Sequence, residues 1–261
     1  MNQWDLWIGD KPHCIAELEA YVHAPAHQDP YTHGDEGQNC CGAWYFHRKG
    51  GSFKAGSFKG LDLACGDGAR GVSAGLLLRS VRPLEPASAK VTEGPSLLVD
   101  LILKLNERAS ISEFVSGRSA AELNAEATEG LCLKRAASPR TDSVWPAPRV
   151  GLVLRQDEQG KTHMAGGRPA DFVARFYRFS TVPTRLSKFR GGFGVAAYLG
   201  AGVAASELAT QLGMPKMVEY AAAADRGRCK LPEEFADKQI STQPDLCELV
   251  GCCFAASKKE Q

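Results

Sequence analysis

Glu17, Glu19 and Tyr21 recur at every second position of I-A-E-L-E-A-Y (15–21). Strand side chains alternate between faces, so an extended segment presents all three on one side. A carboxylate beside an aromatic ring can deprotonate a water while the ring holds a planar substrate. The same spacing also describes a solvated strand face with Tyr21 packed at its rim, because exposed glutamate is the common case. From spacing alone the solvated face is the favoured reading.

The next segment, H-Q-D-P-Y-T-H, gathers His27, Asp29 and His33, with His23 nearby. Two histidines and a carboxylate can bind a transition metal, but this spacing is not diagnostic and Pro30 interrupts the loop. Further on, L-D-L-A-C-G-D-G (61–68) matches the glycine-rich turn with which S-adenosylmethionine-dependent methyltransferases approach their cofactor. That turn belongs at the end of a buried strand and the start of a helix. Here Lys59 and Gly60 lie directly upstream, and two glycines follow in A-R-G-V-S-A-G, a costly composition for a helix.

Two stretches interleave aromatic and basic residues. Residues 44–59 carry five aromatics and four Lys or Arg; residues 175–190 carry four and five. Such alternation suits contacts to phosphate and base, and equally a half-buried sheet with a solvated basic face.

The elements that must position these residues are mostly short strands. Gly and Pro punctuate residues 34–71 densely. Ile15–Tyr21, Leu61–Cys65 and Leu76–Val81 read as strands. Pro95-Ser96 opens a helix through L-L-V-D-L-I-L-K-L-N, with Ser96 as its expected N-cap. Ser119–Glu129 reads as a second helix, 134–148 as a loop, and Arg149–Leu154 and Phe172–Phe179 as strands. Residues 191–224 turn Gly- and Ala-rich, then helical, and the polar tail after Cys253 is expected to fray. Strands outnumber helices and do not alternate with them, so the expected class is α+β.

With 261 residues the chain can bury a substantial core. Its formal charge of +1 confines any nucleic-acid contact to local basic patches. The acidic residues gather elsewhere, in 107–129 and 219–245. The start, M-N-Q-W-D-L-W, lacks the basic and apolar regions of a signal peptide. No window reaches the ~18 apolar residues of a membrane span. Nine cysteines, at 14, 40, 41, 65, 132, 229, 247, 252 and 253, lack zinc-site spacing. An odd count without a secretion signal points to an intracellular, reducing compartment, with the thiols expected to be buried and structural.

Taken together, the segments resemble the alkyladenine (3-methyladenine) DNA glycosylase family. There, a strand ends in Glu-Ala-Tyr, followed by an aspartate and, four residues later, a histidine. Glu19, Tyr21, Asp29 and His33 match these. Gly51-Ser52-Phe53 through Phe58-Lys59-Gly60 is similar to the family's next strand pair. L-L-L-R-S-V-R-P-L-E-P (76–86) resembles the strand that carries a pocket arginine, here Arg79. Gly94-Pro95-Ser96, P-R-V-G-L (148–152) and A-R-F-Y-R-F (174–179) continue the match in order, over about residues 14–190.

This resemblance implies a single α+β domain with a mixed, mostly antiparallel curved β-sheet flanked by helices, as in alkyladenine glycosylases and the formyltransferase C-terminal domain. Residues 1–190 would form it and 191–261 a helical extension packed on it. It also implies an N-glycosylase that hydrolyses the base–sugar bond of a modified purine in DNA, a hydrolase of base excision repair. Glu19 would be the general base, and Arg79 would hold the water or the sugar phosphate. Tyr21 and His33 would flank the flipped base, and Lys54 and Lys59 would meet phosphate. No metal or organic cofactor is implied. The expected partner is DNA, or a nucleotide or nucleoside with a modified purine, bound by a monomer away from membranes. Two alternatives are a non-catalytic nucleic-acid- or nucleotide-binding protein on the same fold and a methyltransferase.

The chain departs from the family where tyrosines line the base pocket and wedge into the duplex. Lys54, Gly56 and Lys59 stand there, and Gly66 lies near the family's guanine-excluding asparagine. A lysine binds phosphate but intercalates poorly. Trp44, Tyr45 and Phe58 are the candidates for a replacement stacking face. Only 14 residues precede Ile15, fewer than the helix and strand the family places there.

Overall fold

The protein is described from a computed structural model, which covers residues 1–118, 123–152, 169–235, 240 and 242–259. The class is α+β. The chain divides into two compact units, Met1–His27 with Thr32–Val144, and Gln28–Tyr31 with Trp145–Gln261.

The first unit is built on a curled sheet of six main strands: β1 (Trp4–Ile8), β2 (Lys11–Ala24), β3 (Cys41–Phe46), β4 (Leu61–Cys65), β5 (Ser73–Pro83) and β6 (Leu131–Arg135). Their order is β6-β1-β2-β5-β4-β3, and every neighbouring pair is antiparallel. The tight turn between β1 and β2 is Gly9-Asp10, with Gly9 at φ +60°. A first turn position of that sign matches the twist of the flanking strands and favours glycine.

Register separates the sheet into two chemistries. One cross-strand row reads Leu18, Leu78, Leu61, Phe46. The adjacent row reads Glu19, Leu77, Asp62, Tyr45 and points the other way. The first row joins Leu6, Ile8, Trp44 and Val81 in an apolar core. Helix α1 (Pro95–Leu105) covers that face with Leu98, Val99, Ile102 and Leu103, a single stripe at helical spacing. The second row carries the polar site.

The ends of the sheet are tied to one another. The Trp44 indole N–H of β3 donates to the Leu131 carbonyl of β6 at 2.9 Å. Between them, Ala125 N–H donates to Gly42 O (2.7 Å) and Ala125 O accepts from Leu133 N–H (2.6 Å).

Several local expectations need correction. Gly94, not Ser96, caps α1; Pro95 fills the first helical position, where no N–H partner is needed, and Ser96 Oγ donates to Gly56 O at 2.7 Å. Of the expected helix at 119–129, residues 119–122 lie outside the described residues. Residues 123–129 form turns, with Asn124 bridged to Ala43. The expected loop at 134–148 gives its first residues to β6, because pairing with β1 overrides its polar composition. A short helix, α2 (Ile111–Val115), precedes that region, its start capped by Ser110.

The second unit holds two short strands, β7 (Trp145–Ala147) and β8 (Arg178–Ser180), paired antiparallel. Its helices are α3 (Pro169–Ala174), α4 (Gly191–Ala201), α5 (Ala205–Gln211), α6 (Met217–Arg228) and α7 (Gln243–Lys259). Residues 149–152 are irregular rather than a strand; 153 and 154 lie outside the described residues. The expected strand at 172–179 begins instead as the end of α3. The segment after Cys253 does not fray at once, since α7 continues to Lys259. Glycines let α6 and α7 approach closely: a Cβ on Gly227 or Gly251 would collide with the other helix's backbone.

Candidate functional site

Arg79 organises the first cluster. From β5 its Nε donates to Glu17 Oε1 (3.0 Å) and its Nη1 to Glu19 Oε2 (3.2 Å). Tyr21 Oη donates to the same Glu19 oxygen at 2.8 Å. Ser80 Oγ donates to Glu17 Oε2. Irregular register around Glu17 shifts β2 against β5 so that one carboxylate meets two successive β5 side chains. Glu17 and Glu19 are fully buried, at 1% and 0% exposure, so the solvated-face reading of this strand is excluded. Desolvation works against the Arg79 charge. The carboxylates of Glu19 and Glu17 outweigh it, and its pKa stands above the ordinary arginine value.

A second cluster occupies the same sheet face. Asp62, buried on β4, pairs through Oδ1 with His47 Nε2 (2.7 Å) and accepts from Gln38 Nε2 at Oδ2 (2.8 Å). Gln38 is fixed in turn by Gly34 N–H, which donates to its Oε1 at 3.1 Å. The His33 ring lies edge-on to His47, 4.4 Å between centroids, and 6.3 Å from Tyr45. Lys54 Nζ is 3.1 Å from His33 Nε2. An ammonium only donates, so His33 Nε2 accepts and the ring is neutral with its proton on Nδ1. Partial desolvation, then the neighbouring His47 and Lys54, pull the His33 pKa down to about 4. Burial, then the Asp35 carboxylate, push the Tyr45 hydroxyl well up.

Two glycines make room for this cluster. A Cβ on Gly75 would stand 2.6 Å from Asp62 Oδ2, and one on Gly60 would collide with the His47 ring.

Of the expected site residues, Glu19, Tyr21 and Arg79 converge directly. His33 and Lys54 meet each other beside the Asp62–His47 pair, on the same face and in the row that also holds Glu19, two strands away. Lys59 is engaged elsewhere, in an ion pair with Asp100 of α1, the helix on the apolar side. Among the candidate stacking rings, Trp44 is buried in the core and Phe58 is 77% exposed. Asp29 lies in the second unit, where Arg149 holds it bidentately (Nη1–Oδ2 2.6 Å, Nη2–Oδ1 3.2 Å). Both are fully buried, and Arg149 also donates to Phe172 O at 2.9 Å. Among the described residues no His, Cys, Asp or Glu group could hold a metal.

The stretch 61–68 is not a cofactor turn of the methyltransferase kind. Its strand β4 runs antiparallel to both neighbours, and Gly68–Arg70 forms one 3-10 turn leading into β5 rather than a helix.

Glu17's pairing, Gln38 and the Asp62–His47 couple were not anticipated. Alternation puts an aspartate flanked by two leucines on the face opposite them, ordinarily the solvated one, so the sequence carries no signal for its burial. The buried-thiol expectation fails for Cys40, Cys41, Cys65 and Cys229, which are exposed. It holds for Cys14, Cys247, Cys252 and Cys253.

No family model and no solved structure matches the chain. An uncharacterized protein of Acanthamoeba polyphaga mimivirus is 30% identical over 150 residues, covering 53% of this chain and 68% of the viral one.

Proposed function

The chain belongs to the same family as that mimivirus protein, and from its site geometry we propose that it is an N-glycosylase acting on a modified purine in DNA. The observation that carries the reading is the buried Glu19 carboxylate, held by Arg79 and Tyr21 on the polar face of the sheet. Hydrolysis of a base–sugar bond needs a fixed carboxylate to take a proton from water and to face the positive charge that grows on the sugar. Arg79 and Tyr21 set the orientation of Glu19 by binding one oxygen. Neutral His33 and Tyr21 supply flat surfaces for an extruded base. Lys54 supplies positive charge at the rim. The resemblance to alkyladenine glycosylases supports the same roles. Among the described residues no helix is long and apolar enough to cross a membrane.

A second reading, nucleotide or nucleic-acid binding without catalysis, is favoured by one observation: Glu19 is fully buried and engaged by Arg79 and Tyr21, as a structural carboxylate would be, while Lys54, Gly56 and Lys59 replace the family's pocket tyrosines.

The deciding measurement is release of free base from alkylated DNA and from modified nucleosides, compared with Glu19→Gln. The amide keeps the Tyr21 contact but cannot take a proton. Removal of a general base costs about 100-fold or more in rate. If neither protein releases base from duplex, single-stranded or nucleoside substrates, the glycosylase reading fails. Saturable binding without release then supports the second.

A further inference from the structure

We propose that Cys41 and Cys65 are a redox-active pair that closes a cross-strand disulfide between β3 and β4. The two residues face one another directly in the antiparallel register. Both side chains are exposed, free thiols. One step further along the ladder, Gly66 N–H donates to Cys40 O at 2.8 Å. That bond marks Cys40 and Gly66 as the hydrogen-bonded pair and Cys41 and Cys65 as the non-hydrogen-bonded one. In such pairs the Cα atoms stand about 4.5 Å apart and the side chains come closest. A disulfide takes Cα separations of about 4.4–6.8 Å, a range that includes this spacing; closing it exchanges the Cys65 Sγ–H donation to Leu63 O (3.4 Å) for the S–S bond.

The electrostatics agree with close sulfurs. Desolvation, then the neighbouring Cys41, raise the Cys65 thiol to about 11. Cys65 is therefore the slower nucleophile and Cys41 the point of entry. The oxidant is a low-molecular-weight disulfide. The Cys41 thiolate attacks one of its sulfurs, forming a mixed disulfide and expelling one small thiolate. Cys65 then loses its proton, attacks Cys41 Sγ and expels the second. Two protein thiols are oxidised, one small disulfide is reduced to two thiols, and the protein's two protons end on them.

The bond would close the loop 41–65, which carries Tyr45, His47, Lys54 and Asp62. It would also pin the strand ends beside Gln38, the amide donor to Asp62. This inference does not depend on the glycosylase reading.

The test treats the whole protein with oxidised glutathione, quenches in acid, alkylates remaining thiols under denaturing conditions and maps peptides by mass. The expected result is a link between the Cys40-Cys41 peptide and the Cys65 peptide, in the wild type and in Cys40→Ser alike. It should vanish in Cys41→Ser and Cys65→Ser and reverse with dithiothreitol. Circular dichroism of each variant establishes that it is folded. A link that survives in Cys41→Ser, glutathione retained on Cys41 with Cys65 alkylated, or no oxidation of either residue would each overturn the proposal.

Discussion

Arg79 Nη1 stands 3.2 Å from Glu19 Oε2, and neither side chain reaches solvent to any useful extent. The guanidinium spans two carboxylates, Glu17 and Glu19, that have lost their hydration. Each partner is tolerable inside the protein because the other is there.

Removing the cation should therefore be far worse than removing an average side chain. Arg79→Met leaves two buried carboxylates facing each other, and breaking a buried pair in this way costs about 3–5 kcal/mol. Urea unfolding at neutral pH should show a fall of that order. A loss below about 1 kcal/mol would mean the pair behaves as a surface ion pair.

His33 sets a pH dependence of stability with a definite sign. Its folded pKa, about 4, lies below its ordinary value of 6.5. Between those two values the unfolded chain binds the proton and the folded chain does not. Its contribution is thus complete above pH 6.5 and is lost as pH falls toward 4. The groups that face the ring are Lys54 and His47, with the Asp62 and Asp35 carboxylates opposing them. His13, also lowered by desolvation, adds to the same trend. Thermal melts across this range should fall toward acid for the wild type and fall less for His33→Asn. Parallel curves would show that His33 titrates normally in the folded protein.

Gly75 should resist the smallest possible enlargement. An alanine Cβ there would press on buried Asp62, 2.6 Å from Oδ2 and 3.0 Å from Cβ. Overpacking of this kind costs about 1–3 kcal/mol. Gly75→Ala should lower the melting temperature and disturb the His47–Asp62 pair, visible as a shift in the His47 ring resonances. Gly75→Ala combined with Asp62→Ala should recover part of the loss, since the colliding carboxylate is gone. Equal destabilisation in both variants would point to a backbone cause.

The parts of the fold that were legible in sequence are those with simple periodicity. β2, β4 and β5 were expected from alternation or apolar runs, and α1 from its stripe and Pro95. The misreadings at 123–129 and 134–148 share one cause. Their backbone groups are satisfied by partners distant in sequence, Ala43 for Asn124 and Trp4 for Arg135, which local propensity does not register. Of the candidate cluster, spacing and resemblance name Glu19, Tyr21 and Arg79, which the structure brings together. Asp62 and His47 were missed because neither the glycine-rich string around the one nor the basic stretch around the other reveals that they face each other across two strands. Resemblance puts Lys59 at phosphate, whereas in the structure it pairs with Asp100, an acidic residue about forty positions away.

The bonds made by Trp44 and Ala125 bear on how the protein meets copies of itself. β3 and β6 are the outermost strands of the order, and unpaired edges of that kind are templates for adding a foreign strand. Here Gly42 and Leu133, one on each edge, spend their backbone groups on Ala125, and the Trp44 indole takes the Leu131 carbonyl. The curl thus turns its two margins toward a common clasp rather than outward. Self-association by strand addition is discouraged at the very places where an open sheet would invite it.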